Sequence, residues 1–201
     1  MKIWPKHVPH ELMQSQEMNL HQMDDEKIWL LFTSGHEGAF ALIYEKYVQL
    51  LYNYGIRFYG DREIIKDCIQ ELFIDLRVRS KFNKVVRIKP YLYGALRKKI
   101  FSVLRKNKIS NSIIDSYMDI QFDVEISHEH KLINSLYDTE LKEKLRKAIS
   151  KLNNNQKEIL HYFYYEDYTY QEIAAIMNFR HVRSVRNLIY KVIKQLRNSI
   201  E

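Results

Sequence analysis

The apolar residues of this chain recur every three or four positions in eight separate segments. This spacing places them on one face of an α-helix, so each segment predicts a helix with a packed side and a solvated side. The predicted helices are residues 25–33, 37–59, 62–80, 88–107, 139–150, 154–165, 169–177 and 183–199. No internal repeat or glycine-rich phosphate loop interrupts them, and the pattern therefore predicts an all-α protein.

The helical segments fall into two groups, which predicts two small helical domains joined by a flexible linker. The first domain comprises residues 25–107 and the second comprises residues 139–201. Residues 108–138 between them are rich in Ser, Asp and Asn, lack a strong period and are predicted to be the linker. Residues 1–24 are polar and are predicted to form an N-terminal extension.

The last two predicted helices have the signature of a helix-turn-helix. Thr169 and Glu172 form a capping box, which satisfies free N–H groups at a helix start. Asn178 tolerates the left-handed backbone that a sharp turn requires, and residues 183–199 then form a basic amphipathic helix. An ordinary αα-hairpin has the same pattern, so this segment alone leaves both interpretations open. Asn153 is a similar N-cap candidate for the helix before them.

Basic residues are concentrated in two blocks, one in each predicted domain. Residues 77–108 contain twelve Lys or Arg and no acidic residue, and residues 180–197 contain six and none. Residues 111–145 reverse this balance, with eight acidic and three basic side chains. The net charge of +7 favours an anionic partner. Two basic blocks separated by an acidic connector predict a protein that contacts nucleic acid at two places.

Other features of the sequence argue against secretion, metal binding and catalysis. The single cysteine, Cys68, excludes an internal disulfide and is expected in the core. No apolar run resembles a signal peptide or approaches the ~18 residues of a membrane span, so a cytoplasmic location is expected. His128 and His130 lack further ligands at metal-binding spacing. We therefore expect no metal, no cofactor and no enzymatic activity.

The segment DREIIKDCIQELFIDL carries a D-x-x-Q-E-x-F pattern, and the basic segment KPYLYGALRKKIFSVLRK follows it. Together they resemble region 2 of the extracytoplasmic-function (ECF) sigma factors of bacterial RNA polymerase, the minimal two-domain class of the sigma-70 family. The segment from LNNNQKEIL to the basic C-terminal helix resembles region 4. The resemblance implies a promoter-specific initiation factor that binds core polymerase and recognises −10 and −35 DNA.

The resemblance also implies roles for individual residues. Those matching the segment that docks on the β′ clamp helices of polymerase are Asp67, Gln70, Glu71 and Phe73, of which Phe73 is also expected in the core. Those expected at the −10 element are Arg79, Lys81, Phe82, Arg87, Tyr91, Arg97 and Lys98. Those expected at the −35 element are Arg183, Ser184, Arg186, Asn187 and Tyr190. In the major groove, Arg can pair with guanine and Asn with adenine.

Four features depart from the family pattern. Lys98 stands where an Asn is usual, Ser102 where an Asp is usual, and Asn153 where a Pro is usual. The turn of the helix-turn-helix is one residue longer than is common and lacks Gly. These departures bear on the −10 contacts and on the register of the recognition helix, whereas the apolar periods that define the fold are all present.

The resemblance implies several partners. They are core RNA polymerase, through its β′ clamp helices and β flap, double- and single-stranded promoter DNA, and an anti-sigma factor. Two other functions also fit the residues. One is a stand-alone helix-turn-helix regulator, which leaves the first helical group unexplained. The other is a sigma-like protein that binds only polymerase or another regulator.

Overall fold

The computed structural model describes residues 17–78, 87–108 and 139–200, and these consist of helices and short connecting turns. A 3₁₀ helix at Glu17–Gln22 precedes eight α-helices in this part of the chain. They are α1 (Asp25–Thr33), α2 (Glu37–Ile56), α3 (Arg62–Val78), α4 (Ile88–Lys108), α5 (Thr139–Ser150), α6 (Asn154–Leu160), α7 (Tyr170–Ile176) and α8 (Val182–Ile200). A π-helix, His161–Tyr165, follows α6 directly. The all-α prediction is confirmed.

Residues 17–78 and 87–108 form one helical bundle, called here the N-terminal unit. Helices α2, α3 and α4 pack on one another, and α1 contacts both α2 and α4. Their apolar faces meet in a core where Leu51, Ile65 and Leu92 have almost no exposed surface. Burying a side chain of this size contributes about 1.5–3 kcal/mol, so the apolar period of each helix determines which face points inward.

Residues 139–200 form the second bundle, called here the C-terminal unit. Helix α8 packs against α5, α6 and α7. Both short helices begin with a capping box, formed by Asn153 with Gln156 at α6 and by Thr169 with Glu172 at α7. Each box satisfies two backbone N–H groups that would otherwise lack partners. The predicted N-caps at Asn153 and Thr169 are therefore confirmed.

The turn between α7 and α8 is closed by a Schellman motif. Asn178 has a φ of 57°, in the left-handed region that Asn tolerates better than most residues. The N–H of Phe179 donates to the carbonyl of Ala174 at 2.8 Å, and the N–H of Asn178 donates to the carbonyl of Ala175 at 3.4 Å. The turn residue predicted from the sequence is confirmed, and Asn here takes the place that glycine commonly occupies.

The predicted and observed helices differ mainly at their ends. The segment 154–165, predicted as one α-helix, is α-helical only to Leu160 and continues as the π-helix. Within this wider turn the consecutive side chains His161 and Tyr162 are both buried. Helix α2 ends at Ile56, three residues before its predicted end, and a short turn follows it.

The two units pack against each other, an arrangement that the sequence did not predict. Helix α4 lies against α7, and buried residues of both units form one continuous apolar cluster. Gly94 on α4 permits this approach, since a Cβ added there would lie 3.3 Å from the Cα of Ile176. Residues 109–138 lie outside the described residues, so the flexible linker stays a prediction, as do the domain boundaries.

Candidate nucleic-acid and protein interfaces

Helix α8 has one buried and one exposed face. Val185, Ile189 and Val192 are buried against the other helices of the C-terminal unit. Of the residues predicted to recognise the −35 element, the exposed ones are Arg183, Arg186, Asn187 and Tyr190, and the half-buried one is Ser184. The structure therefore brings this predicted set together on the solvent side near the start of α8.

The basic side chains of α8 are open to solvent along its length. Lys191, Lys194 and Arg197 are exposed beyond the first turns. None of the α8 cations pairs with a carboxylate within residues 17–78, 87–108 and 139–200. The guanidinium of Arg186 lies 5.2 Å from the ring centre of Tyr170, a cation–π contact that links α8 to the start of α7. This face can neutralise phosphates without first losing an ion pair.

The residues predicted to dock on polymerase lie on α3. Asp67, Gln70 and Glu71 are exposed, whereas Phe73 is buried. Phe73 meets the rings of Phe40 and Tyr44 edge-on, at centroid distances of 6.1 and 4.8 Å. Its expected place in the core is confirmed. The three polar residues form one exposed face, as the period of the helix requires.

Glu71 is not an isolated surface carboxylate. Its Oε2 lies 3.2 Å from the Nζ of Lys99 on α4, and Oδ2 of Asp75 lies 2.8 Å from the same nitrogen. The two acids thus bridge α3 to α4 through one lysine. Any change at Glu71 alters this bridge together with any contact to a partner.

An open groove between α2 and α3 adjoins the exposed polar residues of α3. Tyr44 and Ile74 line this groove with Gln70, and their large apolar side chains are 46% and 52% exposed. The sequence analysis named neither residue as part of a binding surface. Ile74 lies outside the buried face of α3, and its position in the helical period is the sequence signal that indicates its exposure. The exposed apolar surface next to polar residues is typical of a protein-binding site.

The residues predicted to contact the −10 element have different surroundings. Arg87 and Lys98 are exposed. Tyr91 is half-buried, and its ring meets that of Trp29 edge-on at 4.9 Å. Arg97 points toward the C-terminal unit and only 13% of its side chain is exposed. The others, Arg79, Lys81 and Phe82, lie outside the described residues. The structure therefore does not bring the four described members of this set onto one accessible face.

Arg97 forms a two-pronged ion pair with Glu158 of α6. Its Nε donates to Oε1 at 2.6 Å and its second terminal nitrogen donates to Oε2 at 3.2 Å. The Glu158 side chain is only 3% exposed. Tyr162 donates to the same Oε1 at 2.7 Å and in turn accepts a hydrogen bond from Tyr54. Burial raises the pKa of Glu158, and the Arg97 guanidinium opposes that shift.

A second polar cluster lies nearby and also joins the two units. The Arg57 guanidinium lies 3.0 Å from Nδ1 of His161, and Nε2 of His161 lies 3.5 Å from Oε1 of Glu166. Glu166 also accepts a hydrogen bond from Lys89. Burial raises the pKa of Glu166, but hydrogen bonds from His161 and Lys89 outweigh it and lower that pKa to about 2. Burial lowers the pKa of His161 and favours its neutral form.

A third contact joins Arg87 to the helix-turn-helix. Its terminal nitrogen lies 3.2 Å from Oε2 of Glu172, the acid of the α7 capping box. The guanidinium also lies 5.3 Å from the ring centre of Tyr168. The sequence reasoning placed Arg87 in the −10 set and Glu172 in a helix cap, and no local pattern indicated that they meet.

Two searches of the described ranges concern metal binding and membrane spanning. No group of three or more His, Cys, Asp or Glu side chains is close enough to hold a metal ion among those residues. No described helix has both the length and the apolar character needed to cross a membrane. The candidate ligands His128 and His130 lie outside the described residues.

An exposed basic helix within a helix-turn-helix, beside a second unit with exposed polar residues next to an apolar groove, is typical of a helical DNA-binding protein with a protein partner. Two family models match it. The one described as Sigma-70 region 2 matches residues 43–109, and the one described as Sigma-70, region 4 matches residues 142–196. The chain belongs to the sigma-70 family, as a member of its extracytoplasmic-function class.

Known proteins that are similar to the chain include two sigma factors. The ECF RNA polymerase sigma factor SigM of Bacillus subtilis (strain 168) is 25% identical over 136 residues, which cover 68% of this chain and 80% of SigM. The sigma factor RpoE from Bartonella quintana, solved in complex with the anti-sigma factor NepR, superposes with a TM-score of 0.54 at 16% identity. That match covers 80% of this chain and 96% of RpoE, and it supports the fold.

Family membership confirms the predicted function at the level of class. The chain is an RNA polymerase sigma factor, and its partners are core RNA polymerase and promoter DNA. Sigma factors are transcription initiation factors without enzymatic activity.

Proposed function

We propose that the chain directs core RNA polymerase to a specific set of promoters, with its N-terminal unit contacting the −10 element and α8 reading the −35 element. The observation that carries this proposal is the exposed polar face of α8. That face combines Arg and Asn near the helix start with further cations toward the end. A helix fits the major groove, which is about 12 Å wide, and its first turns then meet the base edges.

The residues of α8 divide by expected role. Arg186 and Asn187 are proposed to contact bases, because they are exposed in the second turn of the helix. Arg183, Ser184 and Tyr190 flank them. Lys191, Lys194 and Arg197 are proposed to contact phosphate or polymerase, including its β flap. This division separates sequence recognition from general affinity.

Core polymerase is proposed to dock through its β′ clamp helices on the exposed side of α3 and the adjoining groove. Asp67 and Gln70 supply polar contacts, while Tyr44 and Ile74 supply apolar surface. Polar side chains around an exposed apolar centre are the usual composition of a protein interface.

The docking proposal is tested by changing Asp67 and Gln70 together to Ala. We expect the double variant to bind core RNA polymerase at least about tenfold more weakly while remaining helical by circular dichroism, because both side chains are exposed. Glu71 is left unchanged, since it also bridges to Lys99. The matched control is Glu63→Ala on the same helix, in an exposed ion pair with Lys66. Wild-type binding by the double variant would contradict the docking site.

The −10 element is proposed to meet the basic residues of the N-terminal unit. Arg87 and Lys98 are exposed there, and Arg79, Lys81 and Phe82 are assigned by the family resemblance. Promoter opening requires phosphate neutralisation together with flat surfaces that hold unstacked bases. We also propose a cytoplasmic location and, by analogy with RpoE, an anti-sigma factor as a regulatory partner.

The function is tested by transcription in vitro with purified core RNA polymerase and genomic DNA, followed by mapping of transcript starts. We expect starts that share one pair of elements near −10 and −35, present only when the chain is added. Binding to DNA without core enzyme and without new starts would indicate a stand-alone regulator. Binding to core enzyme without new starts would indicate a protein that only occupies polymerase.

A further inference from the structure

A stack of two aromatic rings and one arginine lies within the C-terminal unit. The rings of Phe163 and Tyr170 are nearly parallel, with an interplanar angle of 16° and a centroid distance of 5.5 Å. The guanidinium carbon of Arg186 lies 5.2 Å from the centre of the Tyr170 ring. We call these three residues the aromatic–arginine stack. It joins the π-helix to α7 and to α8, the helix proposed to read DNA.

The local structure fixes the place of the Tyr170 ring. Tyr170 is the first residue of α7, directly after the N-cap Thr169, and the capping box with Glu172 determines where that helix begins. Its side chain is half-buried and, like that of Phe163, packs against the apolar core. A tyrosine side chain has only two rotatable dihedral angles, so a packed ring retains little freedom. The ring is therefore a rigid surface beside α8.

The Tyr170 ring restrains a side chain that is exposed to solvent. Arg186 is exposed, and it pairs with no carboxylate among residues 17–78, 87–108 and 139–200. Fixing such a long side chain at an interface lowers affinity by about twofold to tenfold through lost rotamer freedom. A contact already present in the free chain removes part of this cost before DNA binds.

Stacking on a ring is compatible with base recognition by the same arginine. A guanidinium group can bind an aromatic ring through its flat face, while its N–H groups point outward in the plane of the group. Those N–H groups can donate two hydrogen bonds to the O6 and N7 atoms of a guanine in the major groove. The two contacts use different sides of the guanidinium, so one does not prevent the other.

We infer that Tyr170 is a positioning residue for recognition of the −35 element. Its ring, supported by Phe163, holds the Arg186 guanidinium in the direction needed to pair with a guanine. The inference rests on the proposed role of α8 in reading the −35 element. It adds a residue of α7 that acts on base preference through Arg186.

The inference is tested by a double-mutant cycle in the complete holoenzyme. Tyr170→Leu removes the ring but keeps an apolar side chain, and Arg186→Ala removes the guanidinium. Each single variant and the double variant is assembled with core RNA polymerase. Base preference is measured by selection from double-stranded promoter fragments randomised at the −35 element, and affinity is measured on the fragment that the unmodified chain prefers.

The expected result is coupling between the two changes. Tyr170→Leu should lower affinity for the preferred fragment by about twofold to tenfold. It should also relax the preference at the same −35 position as Arg186→Ala does. In the chain that already carries Arg186→Ala, Tyr170→Leu should have no further effect, because the ring acts through Arg186.

Two controls separate positioning from packing. Tyr170→Phe retains the ring and should retain both affinity and preference, since a cation–π contact does not need the hydroxyl. Tyr164→Leu makes the same change at a tyrosine of the π-helix that is 47% exposed, and it should leave the preference unchanged. If Tyr170→Leu loses helical structure by circular dichroism, Tyr170→Met replaces it, because methionine adapts to irregular packing.

Three results would overturn the inference. The first is an unchanged −35 preference in Tyr170→Leu where Arg186→Ala changes it. The second is an equal loss of affinity from Tyr170→Leu with and without Arg186. The third is loss of folding in both Tyr170→Leu and Tyr170→Met, which would make the ring a packing residue. An unchanged preference in Arg186→Ala itself would refute the proposed base contact of Arg186, and the inference with it.

Discussion

Helices α4 and α8 are both basic, amphipathic and assigned to promoter DNA, yet their cations have opposite surroundings. On α8, Arg183 and Arg186 are open to solvent. On α4, Arg97 is buried in an ion pair with Glu158, and Lys89 is bonded to Glu166 of the C-terminal unit. Positive charge in a sequence thus indicates an anionic partner, but the partner on α4 is found within the same chain.

The difference follows from what lies opposite each helix. Apart from the contact of Arg186 with the Tyr170 ring, the cations on the polar side of α8 are open to solvent, so they remain hydrated. The corresponding side of α4 meets α7 and the turn that carries Glu166, and its charges can stay buried only when each has a counter-charge. Whether a basic helix is free to bind an external anion therefore depends on the helices packed against it as much as on its own residues.

The largest expected effect tests the buried face of α8. Val185→Asp places a carboxylate where the side chain has no exposure, and burying a charge is strongly unfavourable. We expect a loss of at least about 4 kcal/mol in the free energy of unfolding, enough to unfold the C-terminal unit. Lys194→Asp, on the exposed face, should change stability by no more than about 0.5 kcal/mol. Thermal unfolding followed by circular dichroism compares the two variants. Similar losses of stability in both would show that the buried and exposed faces of α8 were assigned wrongly.

The next effect concerns the hydrogen-bonded chain from Tyr54 through Tyr162 to Glu158. Tyr162→Phe removes a donor to a buried carboxylate and should cost about 1.5–3 kcal/mol in the free energy of unfolding. Tyr54→Phe removes the same atom at the far end of the chain and should cost about 0.5–1.5 kcal/mol. Chemical denaturation of both variants and of the double variant measures their coupling. A larger loss for Tyr54→Phe would show that the carboxylate does not anchor this network.

Promoter recognition by α8 should divide along the helix. Arg186→Ala or Asn187→Ala should cost about 1–3 kcal/mol in binding and relax the preference at particular −35 positions. Lys194→Ala should instead weaken binding to all sequences about equally and reduce its salt dependence. Selection from a promoter library randomised at −35 distinguishes the two outcomes. An unchanged preferred motif in both Arg186→Ala and Asn187→Ala would mean that α8 contacts only the backbone of DNA.

The smallest effect is a dependence of stability on pH. Burial lowers the pKa of His161 within the cluster of Arg57, Lys89 and Glu166. The unfolded chain binds a proton at this residue below about pH 6.5, the ordinary histidine value, whereas the folded state resists it. The free energy of unfolding should therefore fall as the pH falls from 7.5 to about 5.5. Chemical denaturation at each pH checks this, and His161→Gln should reduce the dependence in that range. A free energy of unfolding that rises at the lower pH would contradict the neutral assignment.

Local features of the fold could be predicted because their causes lie within a few residues. The capping box of Thr169 with Glu172 and the left-handed Asn178 depend on the nearest turns of chain. The exposed −35 set followed from the phase of Val185 and Ile189 on the same helix. The position of each helix and the face that it buries are thus determined mainly by residues close together in the sequence.

Contacts between distant residues could not be predicted in this way. Arg97 and Glu158 are 61 positions apart, and neither has a neighbouring residue that indicates the other. The sequence analysis therefore assigned Arg97 to DNA, through the family resemblance of the basic run in which it lies. Tyr44 and Ile74 were likewise missed as exposed residues, because an apolar side chain does not reveal whether a facing helix covers it.

Glu172 connects a local structure to a distant one. The same oxygen, Oε2, accepts from the backbone N–H and the hydroxyl of Thr169, both at 2.8 Å, and from Arg87 at 3.2 Å. Loss of Arg87 would leave the first turn of α7 intact, whereas loss of Glu172 would weaken that turn as well. Substitutions at Arg87 can therefore change the strength of this contact alone. Substitutions at Glu172 would also alter the start of α7, the first helix of the helix-turn-helix.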